Sequence, residues 1–228
     1  MEVVRRRAVT MRNVAKNVWQ ITGWPANSIN AYMVEDVLID AGTRFDRRGI
    51  LKSLEGVDLK MVALTHCHPD HQGAVKAVCE SFHCPLACHE ADRAAMEGLQ
   101  PMSPASRPIR WSSRFFAGPP HPVDRNLKEG DEIAGFRVVE APGHTMGHVM
   151  VFREEDGVAI AGDVAVNMDF LTLRPGLHEP PAFFCVDPAL NRQSIRKLAD
   201  LRPRLVLFGH GRPLGDGDAL RRFADSLK

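Results

Sequence analysis

The sequence predicts an α+β fold in which two β-sheets face each other and helices cover their outer sides. Three observations carry that prediction. Short runs with strand character occur in both halves of the chain, roughly over 18–88 and 136–208. Segments with helical spacing lie among those strands, so each sheet has helices at hand to cover it. A length of 228 residues, 44% hydrophobic and 25% charged, is enough to bury one core without staples. We therefore expect a single domain over residues 1–228.

The elements follow in order. Val18 to Thr22, Ile29 to Val34 and Val37 to Asp40 are β-rich runs, and the Glu35-Asp36 turn makes the last two a hairpin. Arg47 to Leu54 reads as a short helix. Met61 to Leu64 is a wholly apolar run that suits a buried strand and leads into Thr65-His66. Gly73 to Ser81 has helical spacing at Val75, Val78 and Cys79, Pro85 to Cys88 is strand-like, and Glu90 to Met96 is helical. From Leu99 to Asn126 the periodicity breaks, with prolines at 101, 104, 108, 119, 120 and 122. Long irregular stretches in compact domains are usually functional or disordered. The aromatic residues in this one argue for a packed lid or a contact in a homodimer. Strands return at Phe136 to Glu140, Val149 to Phe152 and Val158 to Ala161. A second irregular, lid-like stretch covers Ala165 to Val186. Asp187-Pro188 supplies an N-cap and a first-turn proline for a helix to about Leu201. Leu205 to Phe208 is a buried strand, and a last helix is capped near Asp216 or Asp218.

Composition narrows the function. A formal net charge of +1 gives no electrostatic reason to expect nucleic acid or a membrane surface as partner. The basic start, MEVVRRRAVTMRN, lacks the apolar core and cleavage site of a secretory signal. No run approaches the roughly 18 apolar residues of a membrane span. Five cysteines at unpaired spacings argue for free thiols and a reducing compartment, and the cytoplasm is the expected location.

The strongest chemical signal is Thr65-His66-Cys67-His68-Pro69-Asp70-His71, where four potential metal ligands fall within six residues directly after a buried strand. His66 and His68 point the same way if extended geometry persists for one more step. Pro69 turns the chain so that Asp70 and His71 can face a second point. Imidazole with carboxylate suits zinc, and also iron or manganese. Three further candidates sit at or just beyond strand ends: His144 in Pro142-Gly143-His144, Asp163 after Gly162, and His210 between two glycines. Each alone is as well explained by a structural role. Together they place ligands along one sheet edge. Cys67 reads as packing and His148 as a structural histidine.

These residues resemble the metallo-β-lactamase superfamily, in the part with an HxHxDH motif and a bridging aspartate. The resemblance runs from Val18 to about Leu214. It implies an αββα sandwich with two divalent metal ions at one edge of the sheets, zinc first among the candidates. His66, His68 and His144 would hold one ion, Asp70, His71 and His210 the other, and Asp163 would bridge them. Asp40 matches an acidic residue that orients a histidine ligand. Two such ions lower the pKa of a shared water, so that hydroxide attacks a carbonyl or phosphoryl centre without a serine or cysteine nucleophile. Asp70 is the candidate for proton transfer.

Superfamily membership leaves the substrate open. Glyoxalase II enzymes share the ligand set but add a C-terminal helical domain, whereas 18 residues follow His210 here. Persulfide dioxygenases share a THCHxDH stretch but use one iron. The stretch Phe184 to Gly209 resembles the acylhomoserine lactonases, which place a tyrosine three residues after the bridging aspartate, where this chain has Val166. The expectation is a hydrolase of a small-molecule ester, thioester or lactone. An iron oxidoreductase of the persulfide dioxygenase type, or β-lactam hydrolysis as a side activity, is the alternative. Phe115, Phe116, Phe170, Phe183 and Phe184 are the candidate walls of the substrate cleft.

Overall fold

The computed structural model describes residues 10–23 and 25–228, so most of the basic N-terminal stretch lies outside the described residues. Among the described residues, twelve strands form two sheets. In the first, β1 (Thr10–Ala15), β2 (Val18–Thr22), β3 (Asn30–Val34) and β4 (Val37–Ile39) run antiparallel. β5 (Met61–Ala63), β6 (Leu86–His89) and β7 (Arg125–Leu127) then extend it in parallel. The second holds β8 (Glu132–Ile133), β9 (Phe136–Glu140), β10 (Val149–Arg153), β11 (Val158–Gly162) and β12 (Leu205–Phe208) in the order β12-β11-β10-β9-β8. Its β11–β12 pair is parallel and the others antiparallel.

Strict alternation in the strands sorts the core into three layers. In β3, Tyr32 and Val34 face the second sheet, while Ala31 and Met33 face helices α1 (Arg47–Ser53), α2 (Val75–Phe82) and α3 (Glu90–Met96). In β11, Val158 and Ile160 meet the first sheet. Ala159 and Ala161 turn to α5 (Pro188–Asp200) and α6 (Gly217–Ser226). The result is the αββα sandwich. No helix among the described residues is long and apolar enough to cross a membrane.

Two helices start where capping chemistry predicts. Asp187 accepts from Leu190 N at 2.9 Å with Pro188 in the first turn, and Asp216 accepts from Ala219 N at 2.9 Å. The stretch read as irregular over 99–126 is corrected in part, because it contains α4 (Arg107–Phe116) and β7. Ser106 caps α4 and Pro108 sits in its first turn, the same signal that marks α5. The crowding of prolines around it masked that signal. The stretch 165–186 holds only a 3-10 turn at Ala182–Phe184, with isolated bridges from Val166 to His178 and from Asn167 to Gly211.

The two sheets are tied at one edge. Tyr32, the single tyrosine, donates its hydroxyl to the Phe208 carbonyl at 2.7 Å. The Asn30 amide donates to the carbonyls of Phe208 and Gly211, each at 2.9 Å. Strands β4 and β5 of the first sheet and β9, β11 and β12 of the second deliver their following loops to that edge.

Candidate metal centre

The seven ligand candidates converge there from four separate loops. Three overlapping sets have one donor atom from each member within 4.8 Å of the others: His66, His68 and His144; His66, His71 and Asp163; Asp70, His71 and His210. Asp163 Oδ2 lies 3.0 Å from His210 Nε2, 3.5 Å from His71 Nε2 and 3.7 Å from His144 Nε2, so one carboxylate stands between the sets. Asp70 Oδ2 lies 3.3 Å from His210 Nε2.

Each histidine is oriented by its other nitrogen. Asp40, directly after β4, accepts from His71 Nδ1 at 2.9 Å and also from Thr65 N and Thr65 Oγ1, each at 2.8 Å. His68 Nε2 donates to the Ser103 carbonyl at 2.6 Å, and His210 Nδ1 donates to that of Ser28. These contacts leave His71 Nε2, His68 Nδ1 and His210 Nε2 facing inward, the tautomer control that ligating histidines require. Asp163 is fixed through its backbone, since its N–H donates to His148 Nε2 at 3.0 Å. His148 thus accepts a bond beside the ligands, a role its spacing did not reveal.

The donor set fits a pair of cations. His66 Nε2, His71 Nε2 and Asp163 Oδ1 are buried with no hydrogen-bond partner, although buried polar atoms are nearly always paired. His68 Nδ1 and His144 Nε2 face each other at 3.0 Å, and two inward lone pairs at that distance call for a shared proton or a cation. Protonation balances follow the same geometry. Burial pushes His66 and His144 well below the ordinary histidine range, and neighbouring imidazoles push them further. Burial first, and then the neighbouring His71 and His68, bring His148 down to about 3 against the pull of Asp163. Burial opposes charge on His210 too, but the Asp163 and Asp70 carboxylates outweigh it and raise it to about 10. Burial would raise Asp163, yet His210 and His71 hold it well below the usual carboxylate range. Burial opposes charge on His71 as well, and the Asp163 and Asp40 carboxylates outweigh it and raise it well above the ordinary histidine range.

Glycine is needed at 209 for space, because a Cβ there would run into Asp163 Oδ1 and His71 Cε1. Asp92, on α3, is a further buried carboxylate that the sequence pattern does not single out. It accepts from Cys67 N and Thr145 Oγ1, each at 2.8 Å, and from Gly147 N at 3.1 Å. One side chain thereby joins the His66–His71 loop to the His144 loop. Its partners lie 25 to 55 residues away, and no local pattern points to them. Cys67 packs into the helix-side core.

A cleft of about 390 Å³ opens onto the cluster, with His68, Asp70, His144, Asp163 and His210 at one end. Phe116, Phe170 and Phe184 line it. Phe115 and Phe183 lie outside the lining and are exposed. Trp111 and Ile109 of α4, not singled out from the sequence, are part of it. Tyr32 is held between the sheets, and Val166 is fully buried, so neither lines the cleft.

Comparison with known proteins agrees with this geometry. The chain is 34% identical over 203 residues to the probable metallo-hydrolase YflN of Bacillus subtilis (strain 168), covering 78% of this chain and 76% of that protein. It is 30% identical over 168 residues to a hydroxyacylglutathione hydrolase of Cereibacter sphaeroides, covering 71% of this chain and 52% of that protein. The crystal structure of TTHA1623 in a di-iron-bound form superposes with a TM-score of 0.66 at 31% identity, covering 89% of this chain and 96% of that one. The family model described as the metallo-beta-lactamase superfamily matches residues 24–210. The chain belongs to the metallo-β-lactamase superfamily and is a hydrolase of that fold.

Proposed function

We propose that the protein is a dinuclear metal-dependent hydrolase of carboxylic esters, thioesters or lactones. His66, His68 and His144 would hold one ion, Asp70, His71 and His210 would hold the other, and Asp163 would stand between them. The observation that carries this reading is the convergence of the three donor sets around one buried carboxylate, with inward nitrogens left unpaired. When bound, two divalent ions supply a water of lowered pKa and polarise a carbonyl oxygen.

The chain's own residues do the rest. Asp40, Ser103 and Ser28 fix which nitrogen of His71, His68 and His210 faces inward. The side chain of Asp70 is 30% exposed towards the cleft, against 6% for Asp163, and we assign it the proton transfer. The apolar walls keep bulk water from the reacting end. Zinc is the first choice of metal. The di-iron form of TTHA1623 supports iron as a second, and with it an oxidoreductase reading of the same site. The five free thiols support a cytoplasmic location, and the near-neutral charge supports a small molecule as the partner.

Purified protein should carry about two metals per chain by elemental analysis. It should hydrolyse members of a panel of esters, thioesters and lactones, with β-lactams and phosphodiesters as comparators. Oxygen uptake with a persulfide and no hydrolysis of any acyl compound would replace this reading with the oxidoreductase one.

A further inference from the structure

The walls of the cleft say what the acyl group is, if the hydrolase reading above holds. One wall is α4, from which Ile109, Trp111 and Phe116 reach the lining. The other is the 165–186 segment, with Phe170, Pro181 and Phe184. Ser106 Oγ donates to the Phe183 carbonyl at 3.0 Å and links the two walls. Trp111 is 61% exposed and Phe170 40% exposed, although each borders an apolar concavity. Phe170 also meets the His210 ring at 5.1 Å in an edge-on arrangement, which brings the apolar wall up to the reacting end.

Charge is distributed the other way. Among the described residues no lysine or arginine lines the cleft, and beyond the ligand candidates the hydroxyls of Thr43 and Ser112 are the polar groups that do. Arg107, Arg110 and Arg114 share α4 with the wall residues but point outside the lining and are exposed. A carboxylate held between these walls would lose its hydration without gaining a guanidinium or ammonium partner. An alkyl or aryl chain would cover Trp111 and Phe170 and gain from burial.

We infer that the cleft selects acyl compounds whose body is apolar and uncharged, clasped between Trp111 on α4 and Phe170 and Phe184 opposite. It disfavours thioesters whose thiol part carries carboxylates. In the reaction on a thioester, water adds its oxygen to the acyl carbon, the C–S bond breaks, and the protons are shared between the released thiol and the ionising acid.

The test holds the scissile bond constant. Acetyl, butanoyl, hexanoyl and octanoyl thioesters are compared on two thiols, neutral N-acetylcysteamine and anionic glutathione. Each buried methylene should raise kcat/KM by up to about fourfold. Octanoyl should exceed acetyl by at least about tenfold, and the neutral thiol should exceed glutathione by a similar factor at equal chain length. Trp111→Ala and Phe170→Ala should each collapse the octanoyl-to-acetyl ratio with metal content unchanged. A second readout needs no turnover. The non-hydrolysable amide analogue of the octanoyl N-acetylcysteamine thioester should change tryptophan fluorescence of metal-free protein, and Trp111→Phe should abolish that change. Hydrolysis with a flat chain-length profile, or with glutathione preferred, overturns this inference and leaves the hydrolase reading standing. Absence of hydrolysis on every acyl compound by protein holding two metals overturns the hydrolase reading. Selectivity is then decided by whether the fluorescence titration responds to the neutral amide and not to its glutathionyl counterpart.

Discussion

The His66–His71 loop and the walls of the cleft border the same space and are built by opposite rules. The loop is buried and cross-wired: Asp40, Asp92 and Ser103 each hold it through a bond of 2.6 to 2.9 Å, from elements on three sides. The walls are half-open, touch the rest of the fold through few side-chain bonds, and leave large aromatic rings in solvent. Geometry at a metal centre must be accurate to fractions of an ångström, so the chain invests buried polar contacts there. Recognition of an apolar body needs area and shape, and exposed walls tolerate change. Substitutions in the loop should therefore disturb metal binding and fold together, whereas wall substitutions should alter selectivity alone.

The sharpest break should come from Asp163→Ala. Removing the carboxylate between the two sets should take metal content from about two to about one per chain. Turnover should fall by more than about a hundredfold, beyond what the loss of a supporting partner costs. Elemental analysis and kcat/KM on one substrate check it, and unchanged turnover would refute the bridging role. Asp92→Ala comes next, although it touches no candidate ligand side chain. Cys67 N, Thr145 Oγ1 and Gly147 N would lose their acceptor, at about 1–3 kcal/mol for each group left buried and unpaired. Cobalt titration should show metal affinity weakened about 10–100-fold, and thermal melts should show the stability loss. A variant with wild-type affinity would mean the two loops hold their positions without the link.

Metal removal should act more gently, because the sandwich core does not depend on the ions. Ligand linkage predicts about 2.7 kcal/mol of added stability at a free metal concentration one hundred times Kd. Chelated protein should therefore melt lower yet still cooperatively by calorimetry. A chelated chain without any melting transition would show that the core does need them. The smallest effects belong to Phe115→Ala and Phe183→Ala, which are exposed and outside the lining. Stability should shift within about 0.5 kcal/mol by denaturant melts, and substrate preference should not move. A large shift in preference would extend the cleft to their positions.

How far each region could be read from sequence follows from the same contrast. The His66–His71 donors announce themselves because four lie within six residues, and the strands that carry the others are clean apolar runs. Asp40, His144, Asp163 and His210 are single residues whose meaning comes from their joint position after strands, supplied by the family resemblance. Asp92 escapes because its role is a set of contacts across long sequence separations, in which a first-turn acid looks ordinary. The helix α4 escapes because prolines on either side outweigh a capping serine, and with it went Ile109 and Trp111. Exposure separated Phe116 from its neighbour Phe115, and sequence alone carries no such distinction.

The Tyr32 and Asn30 bonds to the Phe208 carbonyl span 176 and 178 residues. They close the edge where the donors meet, and four of those seven donors arrive on the first sheet and three on the second. Contacts of such separation are assembled late, after the entropy of closing a long loop has been met. A partly folded chain can therefore form either sheet and still present no complete site. The full donor set thus exists only once the two halves have docked.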